Sequence, residues 1–157
     1  MRAGVRVGVD VGRARIGVSR SDPDGMLALP VETVQRSDDD SDIARIRELV
    51  TEFGAVEAIV GLPLSLSGAY TASTDDATAF ADRIAVACGI PVRLVDERLS
   101  TVSAQSGLRA AGRTTRNSRS VVDQAAATVI LQHALDVERS SGRPPGTLAD
   151  PNRGSQS

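Results

Sequence analysis

The sequence predicts an α/β domain whose mixed five-stranded sheet is a three-strand antiparallel meander plus two parallel strands, flanked by helices. Three observations predict it. The first third alternates apolar with small or polar residues at the period of strands. The middle third trades that period for apolar residues at helical spacing, interrupted by short apolar runs. A helical pattern then runs to about Arg139, and no period follows it. Strands first, then helix and strand in alternation, give a sheet with helices packed against it.

The elements follow in order. Val5 to Val9 is the first strand, and after a loop at Gly12 to Arg15 the second resumes at Ile16 to Ser19. Ser21-Asp22-Pro23-Asp24-Gly25 is turn chemistry, because aspartate and glycine adopt turn conformations and proline fixes φ. Met26 to Val34 is the third strand, and Pro30, which has no N–H to donate, puts it at an edge. Ile43, Ile46, Leu49, Val50 and Phe53 mark a helix capped by Ser41 or Asp42 and stopped by Gly54. Val56 to Val60 is the fourth strand. Ala77, Phe80, Ala81, Ile84, Ala85 and Cys88 form one helix face ending at Gly89, and Val92 to Val95 is the fifth strand. Thr101 to Ala111 reads as a helix with Ser100 as its cap and Gly112 as its stop. Val121 to about Arg139 reads as the last helix. Right-handed crossovers set strands one, four and five side by side and parallel.

At 157 residues the chain is most simply one domain, residues 1–139, and it can bury a real core. Residues 140–157 are rich in Gly, Pro and Ser and read as a disordered tail. No apolar run reaches membrane-spanning length and no signal-peptide pattern is visible, which predicts a cytoplasmic protein without a membrane partner. One cysteine, Cys88, excludes an internal disulfide and a cysteine-rich zinc site, and one histidine, His133, argues against a histidine-rich metal site. Both read as packing or surface residues.

Three acids stand where such a fold gathers side chains: Asp10 at the end of the first strand, Asp96 or Glu97 at the end of the fifth, and Asp123 early in the last helix. Consecutive strand residues face opposite sides, so only one of Asp96 and Glu97 can join a site; spacing does not choose between them. Each position has a plain structural reading as well: a hairpin turn, a solvated strand end, and an acid favoured by a helix dipole. Together they suggest a hard cation, because converging carboxylates repel unless one lies between them, and Mg²⁺ prefers oxygen ligands and leaves positions for phosphates. That is the chemistry of metal-assisted phosphoryl transfer.

Charge patterning points the same way. The net charge is −2, yet from Arg98 to Val122 there is no acid, and five arginines stand there: Arg98, Arg109, Arg113, Arg116 and Arg119. All 18 basic residues are arginine, which looks like codon bias, but that bias does not explain an acid-free stretch between two key carboxylates. Gly12 and Gly17 would let a phosphate approach the backbone. The apolar loop Gly61 to Gly68 would cap the core or wall a groove, with Tyr70 beside it to stack a base.

Asp10-Val11-Gly12-Arg13-Ala14-Arg15-Ile16-Gly17-Val18, Val60-Gly61-Leu62-Pro63-Leu64 with Gly68, Asp96-Glu97-Arg98-Leu99-Ser100-Thr101, and Arg119 with Asp123-Gln124-Ala125-Ala126-Ala127 occur in this order. The ordered set resembles the YqgF family, also called RuvX, of bacterial ribonuclease H-like proteins, over Asp10 to about Leu135. The resemblance implies a ribonuclease H-like sheet and a Mg²⁺- or Mn²⁺-dependent nuclease, assigned to maturation of the 5′ end of pre-16S rRNA and earlier proposed as a Holliday junction resolvase. It implies Asp10, Glu97 and Asp123 as metal ligands and catalytic residues, and so selects Glu97 over Asp96. Two features depart from the pattern. Arg116 and Arg119 stand where the family often has lysines, and Ser120 stands where related junction resolvases carry a second aspartate.

The expected function is therefore phosphodiester hydrolysis in pre-16S rRNA maturation, with Gly12, Arg15, Tyr70, Arg98, Arg113, Arg116 and Arg119 touching nucleic acid. At 2% aromatic residues stacking contributes little, so recognition rests on phosphates and on the shape of structured pre-rRNA or branched DNA. The alternatives are a Holliday junction resolvase, which needs two symmetric sites and hence a homodimer, and a non-catalytic RNA-binding assembly factor. An actin-like ATPase ranks low, because that architecture needs two such domains.

Overall fold

A computed structural model describes residues 2–65, 67–97 and 117–150, with the side chains of 117–121 left aside. The element order is β1 (Arg6–Val11), β2 (Arg15–Ser21), β3 (Ala28–Gln35), α1 (Ser41–Phe53), β4 (Glu57–Leu62), α2 (Ala72–Cys88), β5 (Val92–Asp96), α3 (Asn117–Ser141) and β6 (Thr147–Leu148). The sheet runs β3-β2-β1-β4-β5-β6. β1, β2 and β3 are antiparallel neighbours, while β1–β4 and β4–β5 are parallel. The meander and the two parallel crossovers are those the sequence predicts.

β3 is an edge strand, and its ladder skips a residue where Val18 pairs Glu32 and Ser19 pairs Pro30. The proline thus sits at an irregular edge, where its missing donor costs nothing. α1 begins one residue past Asp40, which holds a left-handed φ of 65° and makes no side-chain cap. The expected cap Asp42 lies inside the helix and is buried, accepting from the Ser37 and Ile43 amides. α2 starts earlier than its apolar face suggests, because Thr71 and Thr74 form a reciprocal capping box. Gly54 and Gly89 end their helices in left-handed conformations, as read.

The helices cover both faces. Val7, Val9, Val18, Ala58, Val60 and Leu94 face Ile46, Leu49, Phe80 and Ile84 of α1 and α2. Ile59 and Val95 face Ile130, Leu131, Ala134 and Leu135 of α3 on the other side. Because side chains alternate along a strand, Arg6, Gly8 and Asp10 point to the α3 face. So do Gly61 and Val95, and Glu97 continues that parity.

The end of the chain departs from expectation. The last helix continues to Ser141, and Thr147–Leu148 adds a sixth strand antiparallel to β5. Residues 140–150 are therefore part of the fold and not a disordered tail. Gly146 packs its backbone against the Leu94 carbonyl at a φ of 63°, a position with no room for a side chain. The Ala149 amide donates to the Val92 carbonyl and the Arg93 guanidinium to that of Pro145. A segment without hydrophobic period docks here because the open edge of β5 supplies backbone partners, a gain that side-chain patterning does not register. The expected helix Thr101 to Ala111 lies outside the described residues, as do residues 151–157.

At the end of the sheet away from the acids, a buried charge network ties the elements together. Arg2 forks onto Glu57 and Glu138, Arg6 reaches Glu138, and Arg93 reaches Glu57. Arg6 and Glu57 are 1% and 2% exposed, so each charge depends on its partners.

Candidate active site at the carboxyl ends of the central strands

Asp10 is at the end of β1 and Glu97 directly follows β5. Two strands that both pair with β4 bring them to one edge. The Glu97 amide donates to the Leu62 carbonyl, which prolongs the β4–β5 pairing by one residue and fixes the side chain's direction. Glu97 then lies over Gly61: a Cβ there would sit 2.4 Å from Glu97 Oε2. Asp96 is exposed on the opposite side. Strand parity therefore makes the choice that spacing left open.

Asp123 arrives on α3. The helix begins at Asn117, not Val121, so this acid is in the second turn, where the dipole helps it less than expected. What places it is close packing of helix on sheet. A Cβ on Gly17 would come within 1.9 Å of the Asp123 carbonyl oxygen, and one on Gly8 within 2.9 Å of the Ala127 carbonyl oxygen. The Ser19 hydroxyl donates to that same Ala127 carbonyl at 2.8 Å. Gly17 thus serves helix approach and not phosphate approach. Gly8, Gly17 and Gly61 form a row that shapes the site; sequence reading misses Gly8 and gives Gly17 and Gly61 other roles. Its signal is glycine at matching strand parity beneath a helix.

Asp10 and Glu97 share a hydrogen bond, and both are perturbed upward. Burial raises Asp10 to about 6, helped by the charge of Asp123 and opposed by the bond from Glu97. Burial and then the charge of Asp10 raise Glu97 to about 8. The proton rests on Glu97 and is donated to Asp10. Asp123 is engaged by another partner: Arg15 Nε donates to its Oδ2 at 2.7 Å. Among the described residues no three acidic, histidine or cysteine side chains converge closely enough to hold an ion as they stand. The donor set still fits a hard cation. It offers only oxygens, two of its members are crowded enough to need a proton between them, and a third carboxylate is within electrostatic reach.

The other expected residues divide. Gly12 closes the β1–β2 turn, its amide donating to the Arg15 carbonyl, and Arg36 clamps that turn by donating to the Gly12 carbonyl while forking onto Asp76 of α2. Arg15 is at the site, paired with Asp123. Tyr70 is 69% exposed after the loop following β4, with no described partner. Arg98, Arg113 and Arg116 lie outside the described residues, and of Arg119 only the backbone, in α3, is described. His133 is exposed, and Cys88 is half-buried against the α1–α2 core.

The RuvX family model, described as "Holliday junction resolvase", matches residues 4–137. The chain belongs to this family. Membership makes it a nuclease, a hydrolase acting on nucleic acid. A Leifsonia xyli relative is 64% identical, covering 98% of this chain and 99% of its own, and a Clavibacter michiganensis relative is 60% identical, covering 98% and 96%. Both carry the description "Putative pre-16S rRNA nuclease". Among solved structures, Thermus thermophilus RuvC in complex with Holliday junction substrate superposes with a TM-score of 0.56 at 19% identity, covering 90% of this chain and 99% of that one. That similarity shows the fold, and with it the ribonuclease H-like sheet the RuvX resemblance implies. No helix among the described residues is long and apolar enough to cross a membrane.

Proposed function

We propose that this RuvX chain is a divalent-metal-dependent nuclease that trims the 5′ end of pre-16S rRNA in the cytoplasm, where a bacterial rRNA precursor is made. The observation that carries this is the half-buried Asp10–Glu97 pair sharing a proton beside Asp123, at the carboxyl ends of β1 and β5. The descriptions of the Leifsonia and Clavibacter relatives favour pre-16S rRNA over a four-way junction.

Asp10, Glu97 and Asp123 would hold Mg²⁺ or Mn²⁺. Bound there, the cation supplies Lewis-acid stabilisation of the phosphodiester and lowers the pKa of the attacking water. The chain's own part is to bring carboxylates together in a half-buried pocket, where losing the one shared proton takes the Asp10–Glu97 pair from one negative charge to two. Loss of that proton favours cation binding above neutral pH. Gly12, Arg15, Tyr70, Arg98, Arg113, Arg116 and Arg119 would contact nucleic acid, the arginines through forked bonds to phosphate oxygens.

The test is cleavage of a pre-16S 5′ leader and of a four-way junction side by side, with Mg²⁺ and with Mn²⁺. Asp10→Asn, Glu97→Gln and Asp123→Asn should each abolish leader cleavage with unchanged far-UV circular dichroism, and Asp96→Asn should be far milder. Normal cleavage by any of the three removes that residue from the site. Preferred cleavage of the junction, by a species that sediments as a homodimer, turns the assignment to resolvase.

A further inference from the structure

The Arg15–Asp123 pair sits at odds with a three-carboxylate ligand set. Arg15 is the first residue of β2 and Asp123 lies in α3, and the 2.7 Å bond joins them across the mouth of the site. Both side chains are partly open to solvent, 31% and 19% exposed. Among the described residues, Arg15 uses only its Nε, so the rest of its fork remains for an incoming anion. The turn that carries Arg15 is itself braced. The Gly12 amide bonds to the Arg15 carbonyl, and the Arg36 guanidinium holds the Gly12 carbonyl while its amide donates to that of Ala14. A braced backbone leaves the exchange of partners to the side chain.

Resting on the metal-site reading above, we propose that Arg15 is a positioning residue that acts as a latch. It occupies Asp123 in the free protein and surrenders it when a phosphate of the nucleic acid takes the guanidinium. Asp123 is then released to the pair formed by Asp10 and Glu97. Guanidinium pairs with phosphate oxygens at least as readily as with a carboxylate, and a strand that presents several phosphates has the advantage. The latch makes nucleic acid and cation bind cooperatively, and linkage requires the help to be mutual. Ser120 sharpens the need for it: no second acid stands one turn before Asp123, so the site is incomplete whenever Asp123 is engaged elsewhere.

The experiment is Mn²⁺ titration of the full chain, followed by electron paramagnetic resonance of the free ion, in a double-mutant cycle. Arg15→Gln should tighten Mn²⁺ binding about two- to fivefold, the worth of a partly exposed ion pair. In an Asp123→Asn background the same change should do nothing, because the gain runs through that carboxylate. Dimethyl phosphate, a phosphodiester stand-in, should tighten Mn²⁺ binding to the native chain and not to Arg15→Gln. Arg13→Gln, which removes a charge from the same turn, should leave the affinity unchanged. A gain that survives Asp123→Asn, or one matched by Arg13→Gln, reduces Arg15 to a repelling charge and overturns the latch. No gain with Arg15→Gln, while Asp10→Asn weakens Mn²⁺, overturns the latch and leaves the metal site standing. Mn²⁺ binding indifferent to Asp10→Asn and Glu97→Gln overturns both.

Discussion

Glu97→Gln should flatten the pH dependence of stability of the metal-free protein between about pH 5 and about pH 8. Glu97 is raised from 4.5 to about 8, by burial first and then by Asp10. A raised carboxyl keeps its proton in the folded state while the unfolded chain has already lost it. Above the unfolded value each further pH unit therefore costs stability, until the folded group also ionises. At about 1.4 kcal/mol per unit the full shift sets a ceiling of about 5 kcal/mol, and sharing one proton with Asp10 brings the expectation to roughly half of that. For a chain of this size that is about 5 to 10 °C in Tm. Glutamine still donates to Asp10 from its amide but has no proton to lose. The described acids held low by partners, Asp22, Glu32, Asp39, Asp76 and Glu138, gain and lose their contribution below that window, so they do not obscure it. The assay is urea unfolding followed by circular dichroism at 222 nm in EDTA, since the chain has no tryptophan. Native protein should lose stability from about pH 5 to about pH 8, and Glu97→Gln should lose little above about pH 6, where Asp10 has already ionised. Parallel slopes for the two proteins would refute the shared proton.

Three further outcomes follow from the packing, and a fourth from the charge pattern. Gly17→Ala would drive a methyl group into the Asp123 carbonyl, whose oxygen lies 1.9 Å from the new Cβ, so α3 must shift; urea unfolding should show a loss of about 1–3 kcal/mol, and leader cleavage should fall with it. Glu57→Gln leaves Arg2 and Arg93 facing a neutral amide in a buried network and should cost about 3–5 kcal/mol by the same measurement, with Mn²⁺ affinity unchanged because the network is at the far end of the sheet. Truncation after Arg139 removes β6 and the cover over β5, and should lower Tm by several degrees. Neutralising Arg113, Arg116 and Arg119 together should flatten the salt dependence of RNA binding, by about one log–log unit for each phosphate the protein no longer neutralises.

The order of strands and helices, the edge position of β3 and the stops at Gly54 and Gly89 were legible in the sequence because each is a local property: a period, a missing donor, a residue free of Cβ strain. Which acids were candidates was legible too, since a strand end and a helix start are the places where polar groups gather in an α/β fold. The tertiary structure decided what depends on parity and distance. It turned Glu97 toward Asp10 and Asp96 away, because the pairing with β4 continues through the Leu62 carbonyl and so fixes which residue falls on the α3 face. It gave Gly8, Gly17 and Gly61 their role as the floor that lets helix and carboxylates come close, which composition does not distinguish from glycine in turns. It bound Arg15 to Asp123 across 108 positions of sequence, and it docked residues 147–149 on β5 through backbone hydrogen bonds. Both are contacts between segments remote in the chain, and a pattern read along the chain carries no record of which remote partner a polar group will meet.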